Sequence, residues 1–102
     1  MPQLDPKTAQ EIRAAVLEFF SEECDVPTEK LSDETNIISD LDGDSLMLLS
    51  LLELFRKKHH LTIELKTLGK HLMKKPANTI GQVIALTENL VLHGDNILAV
   101  DL

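Results

Sequence analysis

The most constraining feature of this chain is the junction within residues 40–55. An acidic segment with one glycine, DLDGDS, runs directly into the leucine-rich stretch LMLLSLLELF. Asp and Ser are favoured at helix starts, where they accept hydrogen bonds from backbone N–H groups without helical partners and where the helix dipole favours negative charge. A helix is therefore predicted to begin at Ser45. The Ser45 hydroxyl either only caps this helix or is held where an attached phosphate would be tolerated.

The apolar pattern of this helix divides it into two faces. At 100° per residue, four large side chains fall on one side and are predicted to face the core: Leu48, Leu51, Leu52 and Phe55. Leu46, Met47 and Leu54 fall on the opposite side together with polar residues. These three are predicted to form an exposed docking surface, unless another segment such as the C-terminal tail covers them.

Two further amphipathic helices are predicted on either side of this one. Asp5 and Pro6 are typical of an N-cap and a first helical residue, and the helix that follows is expected to run to about Cys24. Thr79 or Asn78 caps the last helix. The core positions at helical spacing are Ile12, Ala15, Val16, Phe19 and Phe20 in the first helix, and Ile80, Val83, Ile84, Leu86, Thr87 and Leu90 in the last.

The segments between these helices differ in character. Residues 25–44 predict a long ordered loop that is held to the core at isolated apolar positions, namely Val26, Leu31, Ile37, Ile38 and Leu41. Residues 61–78 combine apolar residues with lysines, and a short helix is expected within residues 65–74. His59 is predicted to be partly buried or to mark the end of the helix before it.

Composition limits the class of protein. The 102 residues fit one domain, and the net charge of −7 is divided into −9 for residues 1–44 and +2 for residues 45–102. Nucleic acid is therefore disfavoured as a partner, whereas basic-faced proteins are favoured. Cys24 is the only cysteine, which indicates a reducing, cytoplasmic setting. There is no signal pattern and no apolar run long enough for a transmembrane helix, so the chain is not expected to be an integral membrane protein.

No metal site is predicted. The acids at 40, 42 and 44 have the alternation of a calcium loop, but Ser45 stands where the sharp turn needs glycine and Leu51 where a bidentate glutamate is required. The four histidines show no ligand spacing. Cys24 has no activating base nearby in sequence and is not expected to be a nucleophile.

The motif Asp44-Ser45-Leu46, preceded by DL at 40–41 and a glycine-containing turn, resembles the attachment motif of acyl carrier proteins. The resemblance covers most of the chain, up to the last helix at Thr79. In that family the serine carries 4′-phosphopantetheine, whose thiol holds acyl groups as thioesters. The pattern and the resemblance together predict an all-α four-helix bundle of three longer helices and one short one, with a long loop between the first and second helices.

This resemblance implies a carrier rather than an enzyme, acting as a monomer. Residues 1–90 would form the carrier domain, and residues 91–102 an apolar tail that is packed on the bundle or mobile. The implied partners are a phosphopantetheinyl transferase and acyl-transferring or acyl-activating enzymes. An acyl chain withdrawn between the helices would be sheltered from water by walls that we predict to be Leu48, Leu51, Leu52, Phe55, Ile63 and Val83.

The sequence departs from the usual family pattern on the helix after Ser45. Carrier proteins of bacterial fatty-acid synthesis commonly present acids there, but Met47 and Ser50 replace two of them, and RKKHH stands at 56–60. This favours a specialised carrier with a dedicated, more hydrophobic partner.

Two alternatives to a carrier for fatty-acid or specialised lipid biosynthesis stay open, and a third is disfavoured. The chain could serve an aminoacyl, polyketide or nonribosomal peptide pathway, because those carrier domains share the serine and the bundle. It could be an unmodified helical adaptor that binds a partner helix through Leu46, Met47 and Leu54. An enzyme with Ser45 as nucleophile is disfavoured, since no base and orienting acid can be identified.

Overall fold

The computed structural model describes residues 5–74 and 77–93, except for the side chains of Ser45 and His71. Four helices follow one another: α1 (Pro6–Cys24), α2 (Ser45–Lys58), α3 (Leu65–Lys74) and α4 (Ile80–His93). A 3₁₀ turn at Thr28–Lys30 interrupts the long connection between α1 and α2. The predicted all-α bundle of three longer helices and one short one is confirmed, and the short helix lies where the sequence placed it.

The helix ends follow from local chemistry. The Asp5 carboxylate accepts hydrogen bonds from the Lys7 N–H at 2.8 Å and from the Thr8 hydroxyl at 2.9 Å, and these bonds lower the pKa of Asp5. Helix α1 ends at Cys24 because Asp25 adopts a left-handed conformation with φ of 54°. Both ends of α1 agree with the prediction.

The predicted core faces are buried. All six predicted positions of α4 and the four of α2 are inside, and Ile12, Val16 and Phe20 of α1 join them. Ala15 and Phe19 are half-buried against this core. His59 is half-buried and is also the C-cap of α2, so both predictions for it are confirmed. Its ring is stacked parallel to the Phe55 ring, with 6.2 Å between the ring centroids.

The α1–α2 connection is attached to the start of α4 by backbone hydrogen bonds. The Ile37 N–H donates to the Asn78 carbonyl at 2.8 Å, and the Ile80 N–H donates to the Thr35 carbonyl at 3.0 Å. The Gly81 N–H donates to the Asp33 carbonyl at 2.9 Å. These bonds make the end of the connection part of the bundle, which positions the chain for its entry into α2.

One predicted anchor of this connection is wrong. Leu31 and Ile37 are buried and Val26 and Leu41 half-buried, but Ile38 is 60% exposed. The Asn36 side chain accepts hydrogen bonds from the N–H groups of Ile38 and Ser39, both at 2.9 Å. The chain therefore turns tightly here, and the side chains of residues 37 and 38 point in different directions.

Helix α4 extends to His93, so the first three residues of the predicted tail are helical. The rest of that tail, residues 94–102, lies outside the described residues, and its predicted packing or mobility remains a prediction.

Candidate functional site

The chain enters α2 through a well-defined N-cap. Asp44 is extended, with φ of −147° and ψ of −179°, and its Oδ1 accepts a hydrogen bond from the Met47 N–H at 3.0 Å. Ser45 is the first residue of the helix. The helix therefore begins at Ser45 as the sequence indicated, but the residue that caps it is Asp44 and not Ser45.

The turn before Asp44 requires glycine at position 43. The Gly43 N–H donates to the Ile37 carbonyl at 2.8 Å, which brings the two backbone segments close together. A Cβ on residue 43 would lie 2.8 Å from Ile37 Cγ2 and 3.2 Å from Met47 Sδ. Because real Cβ contacts are essentially never as short as 2.8 Å, a side chain on residue 43 would force Ile37 or the turn to shift, which glycine avoids.

Two of the three acidic side chains of this turn have structural partners. Asp40 Oδ2 accepts from the Asn36 N–H at 2.8 Å, and Asp44 is used as the cap. Asp42 is left-handed with φ of 57°, and its N–H donates to the Ile38 carbonyl at 3.1 Å. Among the residues described, no group of three or more His, Cys, Asp or Glu side chains is arranged to hold a metal ion.

The three predicted docking residues do not share one environment. Leu46 is 72% exposed and Leu54 56% exposed, whereas Met47 packs against the core. Met47 Sδ lies 3.9 Å from Cys24 Sγ at the end of α1. The expectation that Met47 is exposed is therefore wrong, because Cys24 at the end of α1 lies against its side chain.

The central exposed part of α2 carries little free charge. Arg56 binds both carboxylate oxygens of Glu53 at 2.8 Å, and Lys57 Nζ lies 3.7 Å from Glu53 Oε1. The hydrogen bonds from Arg56 lower the pKa of Glu53. The Ser50 hydroxyl donates to the Leu46 carbonyl at 3.0 Å. Leu46 is thus the prominent exposed side chain next to Ser45.

A small cavity of 110 Å³ opens beside the start of α2. Its walls come from the α1–α2 connection, from α2, and from α3 with the residues after it; they are Ile37, Ile38, Asp44, Leu48, Leu72, Ala77 and Asn78. Asp44 directly precedes Ser45, so the cavity and the proposed attachment residue share one end of the bundle.

The cavity overlaps only in part with the walls predicted from sequence. Leu48 lines it, whereas Leu51, Leu52, Phe55, Ile63 and Val83 are buried in the core and are not among its lining residues. Ile37, Leu72 and Ala77 were not assigned as walls. Ile37 and Leu72 were visible as apolar residues of the connection and of the short helix, but only the packing of these segments against α2 brings them to one cavity.

Comparison with known proteins identifies the family. The family profile described as "Phosphopantetheine attachment site" matches residues 14–87, which span α1 to α4. A protein of Clostridium acetobutylicum named "Acyl carrier protein homolog" is 43% identical over 97 residues, covering 95% of this chain and 94% of that protein. No solved structure matches the chain.

The chain belongs to the acyl carrier protein family. The cofactor of this domain is covalently attached 4′-phosphopantetheine, and family members are carriers without catalytic activity of their own. Carrier domains interact with phosphopantetheinyl transferases and acyl-handling enzymes. None of the described helices is both long and apolar enough to cross a membrane.

Proposed function

We propose that this protein carries acyl groups as thioesters on a 4′-phosphopantetheine arm attached to the Ser45 hydroxyl, for fatty-acid or specialised lipid biosynthesis. The observation that carries the proposal is the position of Ser45. It is the first residue of α2, follows the Asp44 cap, lies within the matched range 14–87 and adjoins the cavity wall.

The residues around this position fit a phosphate-linked group. The Asp44 carboxylate accepts a hydrogen bond from the Met47 N–H. The first N–H groups of a helix have no acceptor within the helix, so others remain available to a ligand. Together with the positive end of the helix dipole, they favour a phosphate near residue 45. Gly43 leaves the approach to this end free of a side chain and keeps the turn in contact with Ile37.

When bound, the arm supplies a thiol on which acyl groups are held as thioesters. The protein's own residues provide position and shelter. The apolar walls of the cavity can exclude water from an alkyl chain, and each buried CH₂ contributes about 0.8 kcal/mol. An apolar cavity of about 150 Å³ binds benzene, so the 110 Å³ present here suits about four carbons. A longer chain requires Leu48 and Leu72 to move apart and would then contact the deeper residues predicted as walls.

The character of the cavity favours an aliphatic cargo over an aminoacyl one. Ile37, Leu48 and Leu72 form apolar walls, while Asp44 and Asn78 supply the polar lining. An ammonium group in this space would lose hydration against the apolar walls, and the one carboxylate of the lining, Asp44, is exposed to solvent and already accepts the Met47 N–H. To compare the two cargoes, the protein is loaded in parallel with butyryl and aminoacyl groups, and the NMR shifts of the cavity methyl groups are measured. Larger shifts with the aminoacyl form would favour a carrier for an aminoacyl pathway.

Intact-mass measurement tests the attachment residue. The protein is incubated with coenzyme A and a broad-specificity phosphopantetheinyl transferase, and a gain of one phosphopantetheine is expected. Ser45→Ala should abolish the gain, and Ser50→Ala on the same helix should not. Addition that survives Ser45→Ala would move the site elsewhere, and no addition to the unchanged protein would favour the adaptor function.

A second experiment tests the shelter. Methyl NMR of the butyryl-loaded protein should show shifts at Ile37, Leu48 and Leu72, relative to the form that carries the free thiol. Val83 lies in the core and is not among the cavity walls, so its methyl groups serve as the reference. Unchanged shifts at the three wall residues would contradict the proposed binding of the chain.

We also propose that the protein acts as a monomer in the cytoplasm, in keeping with its single, half-buried Cys24. Its proposed partners are a phosphopantetheinyl transferase and acyl-transferring or acyl-activating enzymes that dock beside Leu46 and Leu54. Met47 would contribute to this docking indirectly, by holding α2 against α1.

A further inference from the structure

The charges of this protein are strongly separated along the chain. Residues 54–87 contain seven of the ten bases and one of the seventeen acids, so this stretch carries +6 while the remainder carries −13. Six of these bases lie in the described helices: three in the last turn of α2 and three in α3. An acidic molecule therefore has one strongly basic region.

The basic region has a regular exposed face on α3. Lys66, Lys70 and Lys74 are four residues apart, so they lie on one side of the helix, and all three are exposed. Leu68 and Leu72 are buried on the other side. None of the three lysines forms an ion pair with another residue in the part of the chain that the structure describes.

An exposed apolar side chain lies among these lysines. Met73 is 84% exposed, the largest exposed fraction among the large apolar side chains described. It follows Leu72, which is buried. We use the name basic α3 face for Lys66, Lys70, Met73 and Lys74.

The end of this face lies close to the start of α2. Leu72 of α3 shares the cavity with Asp44 and Leu48, and a Cβ at Gly69 would lie 3.7 Å from Leu49 Cδ2. The C-terminal end of α3 therefore lies beside the N-terminal end of α2, where Leu46 is 72% exposed. The single acid within α2, Glu53, is paired with Arg56 and does not offset the lysines.

We propose that the basic α3 face adsorbs on a bilayer that contains anionic phospholipids. Clusters of lysines on a helix are attracted to the negative surface of such a bilayer, and exposed apolar side chains such as Met73 can enter its interface. The acidic remainder of the molecule, which includes the acids at positions 40, 42 and 44, is repelled by the same surface, so the protein is oriented with the exposed side of α3 toward the lipid.

The composition of the face favours a bilayer over an acidic protein. Lysine is a strongly hydrated point charge on a flexible stem, and it is depleted in the cores of protein interfaces. Those cores are enriched in Arg, Tyr and Trp, none of which occurs in α3. Lipid phosphates form a diffuse layer of negative charge that lysines can bind without a fixed arrangement of partners. Three unpaired, flexible lysines are suited to such a layer.

Vesicle sedimentation of the full, unmodified chain tests this inference independently of any modification at Ser45. Binding is expected to phosphatidylcholine vesicles that contain phosphatidylglycerol, not to phosphatidylcholine alone, and should weaken as salt shortens the Debye length from about 30 Å to about 8 Å. Lys70→Gln with Lys74→Gln should lower the partition coefficient by about 30-fold. Lys7→Gln with Lys30→Gln removes the same charge from α1 and the 3₁₀ turn and, at a Debye length of about 8 Å, should change it by less than about twofold, since distant charges are then screened.

A fluorescent label reports the orientation. In a Cys24→Ser background, an environment-sensitive dye at Met73→Cys should shift to the blue on the anionic vesicles, and the same dye at Ala14→Cys on the exposed side of α1 should not. Circular dichroism confirms that the variants are folded. Equal losses from the two lysine pairs, or no binding to anionic vesicles, would overturn the inference. Binding to soluble polyglutamate without binding to vesicles would overturn it as well and would identify an acidic protein as the partner.

Discussion

Adjacent residues at the start of α2 have opposite environments. Leu46 is exposed to solvent, while the Met47 side chain fills the space between Cys24 and Gly43, with its sulfur 3.9 Å from Cys24 Sγ. Methionine suits this irregular gap because its side chain is unbranched and polarizable. The contact fixes the first turn of α2 against the end of α1, next to the proposed attachment residue.

Cys24 should react slowly with alkylating agents. Partial burial raises the pKa of its thiol, and the negative charge of Glu23 adds to this effect, so the thiolate fraction near neutral pH is reduced. The alkylation rate of the native protein, measured against pH, should reach its midpoint above that of the same protein unfolded in urea. A native midpoint at or below the unfolded one would contradict this environment.

At the scale of elements, Gly43 and Gly69 have different roles, which the structure shows and the residue type alone does not. Gly43 lies where a Cβ would collide with Ile37 and Met47, whereas a Cβ at Gly69 inside α3 would meet only Leu49 Cδ2 at 3.7 Å. Gly43 is therefore required by a close approach of backbone, and Gly69 is an ordinary helix position with a residue of poor helix propensity.

Alanine at these two positions should change stability in opposite directions. Gly43→Ala is expected to lower the free energy of unfolding by about 1–3 kcal/mol, because Ile37 or the turn must shift. Gly69→Ala is expected to raise it by up to about 1 kcal/mol through helix propensity. Urea unfolding monitored by circular dichroism measures both, and a neutral Gly43→Ala would show that the turn adapts without cost.

The start of α4 is held by a reciprocal cap. Thr79 Oγ1 accepts from the Gln82 N–H at 3.2 Å, and Gln82 Oε1 accepts from the N–H groups of Asn78 and Thr79 at 2.7 and 3.1 Å. This arrangement satisfies donors at both sides of the helix start. It also holds the segment that bonds to Thr35 and Ile37 of the connection.

Removal of this cap should be measurable. Thr79→Ala is expected to cost about 1 kcal/mol of stability, since the Gln82 N–H loses its acceptor. Thr79→Ser keeps the hydroxyl and should stay within about 0.5 kcal/mol of the unchanged protein. Thermal or urea unfolding of the two variants provides the comparison, and equal stabilities would show that the hydroxyl does not contribute.

At the scale of the whole molecule, the long connection is part of the hydrophobic core. Ile37 is 1% exposed although it lies in no helix, and it contacts the turn that leads into α2. Its N–H is bonded to the segment before α4. The entry into α2, where the proposed attachment residue lies, is thus positioned by the connection and by the segment before α4, which are distant in sequence.

Two neighbouring isoleucines test this integration. Ile37→Ala should cost about 2–5 kcal/mol of unfolding free energy, which is typical of a core position in a helix or strand. Ile38→Ala, at a side chain that is 60% exposed, should change it by less than about 0.5 kcal/mol. Similar small effects at both positions would show that the connection unfolds separately from the bundle.

The periodic and local features of this protein could be predicted from the sequence by itself. Apolar spacing sets the core faces of α2 and α4, because every residue advances a helix by the same angle. Asp5, Asp44 and Thr79 define helix starts through hydrogen bonds to residues within three positions. The resemblance to the family rested on the contiguous motif at residues 44–46 together with the order of helices and loop around it, which are also features of the linear sequence.

Only the tertiary structure decided which side chains meet. The packing of Met47 against Cys24, the exposure of Ile38 and the cavity formed by Ile37, Leu72 and Ala77 depend on how segments far apart in sequence pack together. Periodicity assigns a residue to one side of its own helix, but it contains no information on which neighbour covers that side. The basic α3 face likewise follows from the fold, which buries Leu68 and Leu72 and thereby leaves the lysines and Met73 in solvent.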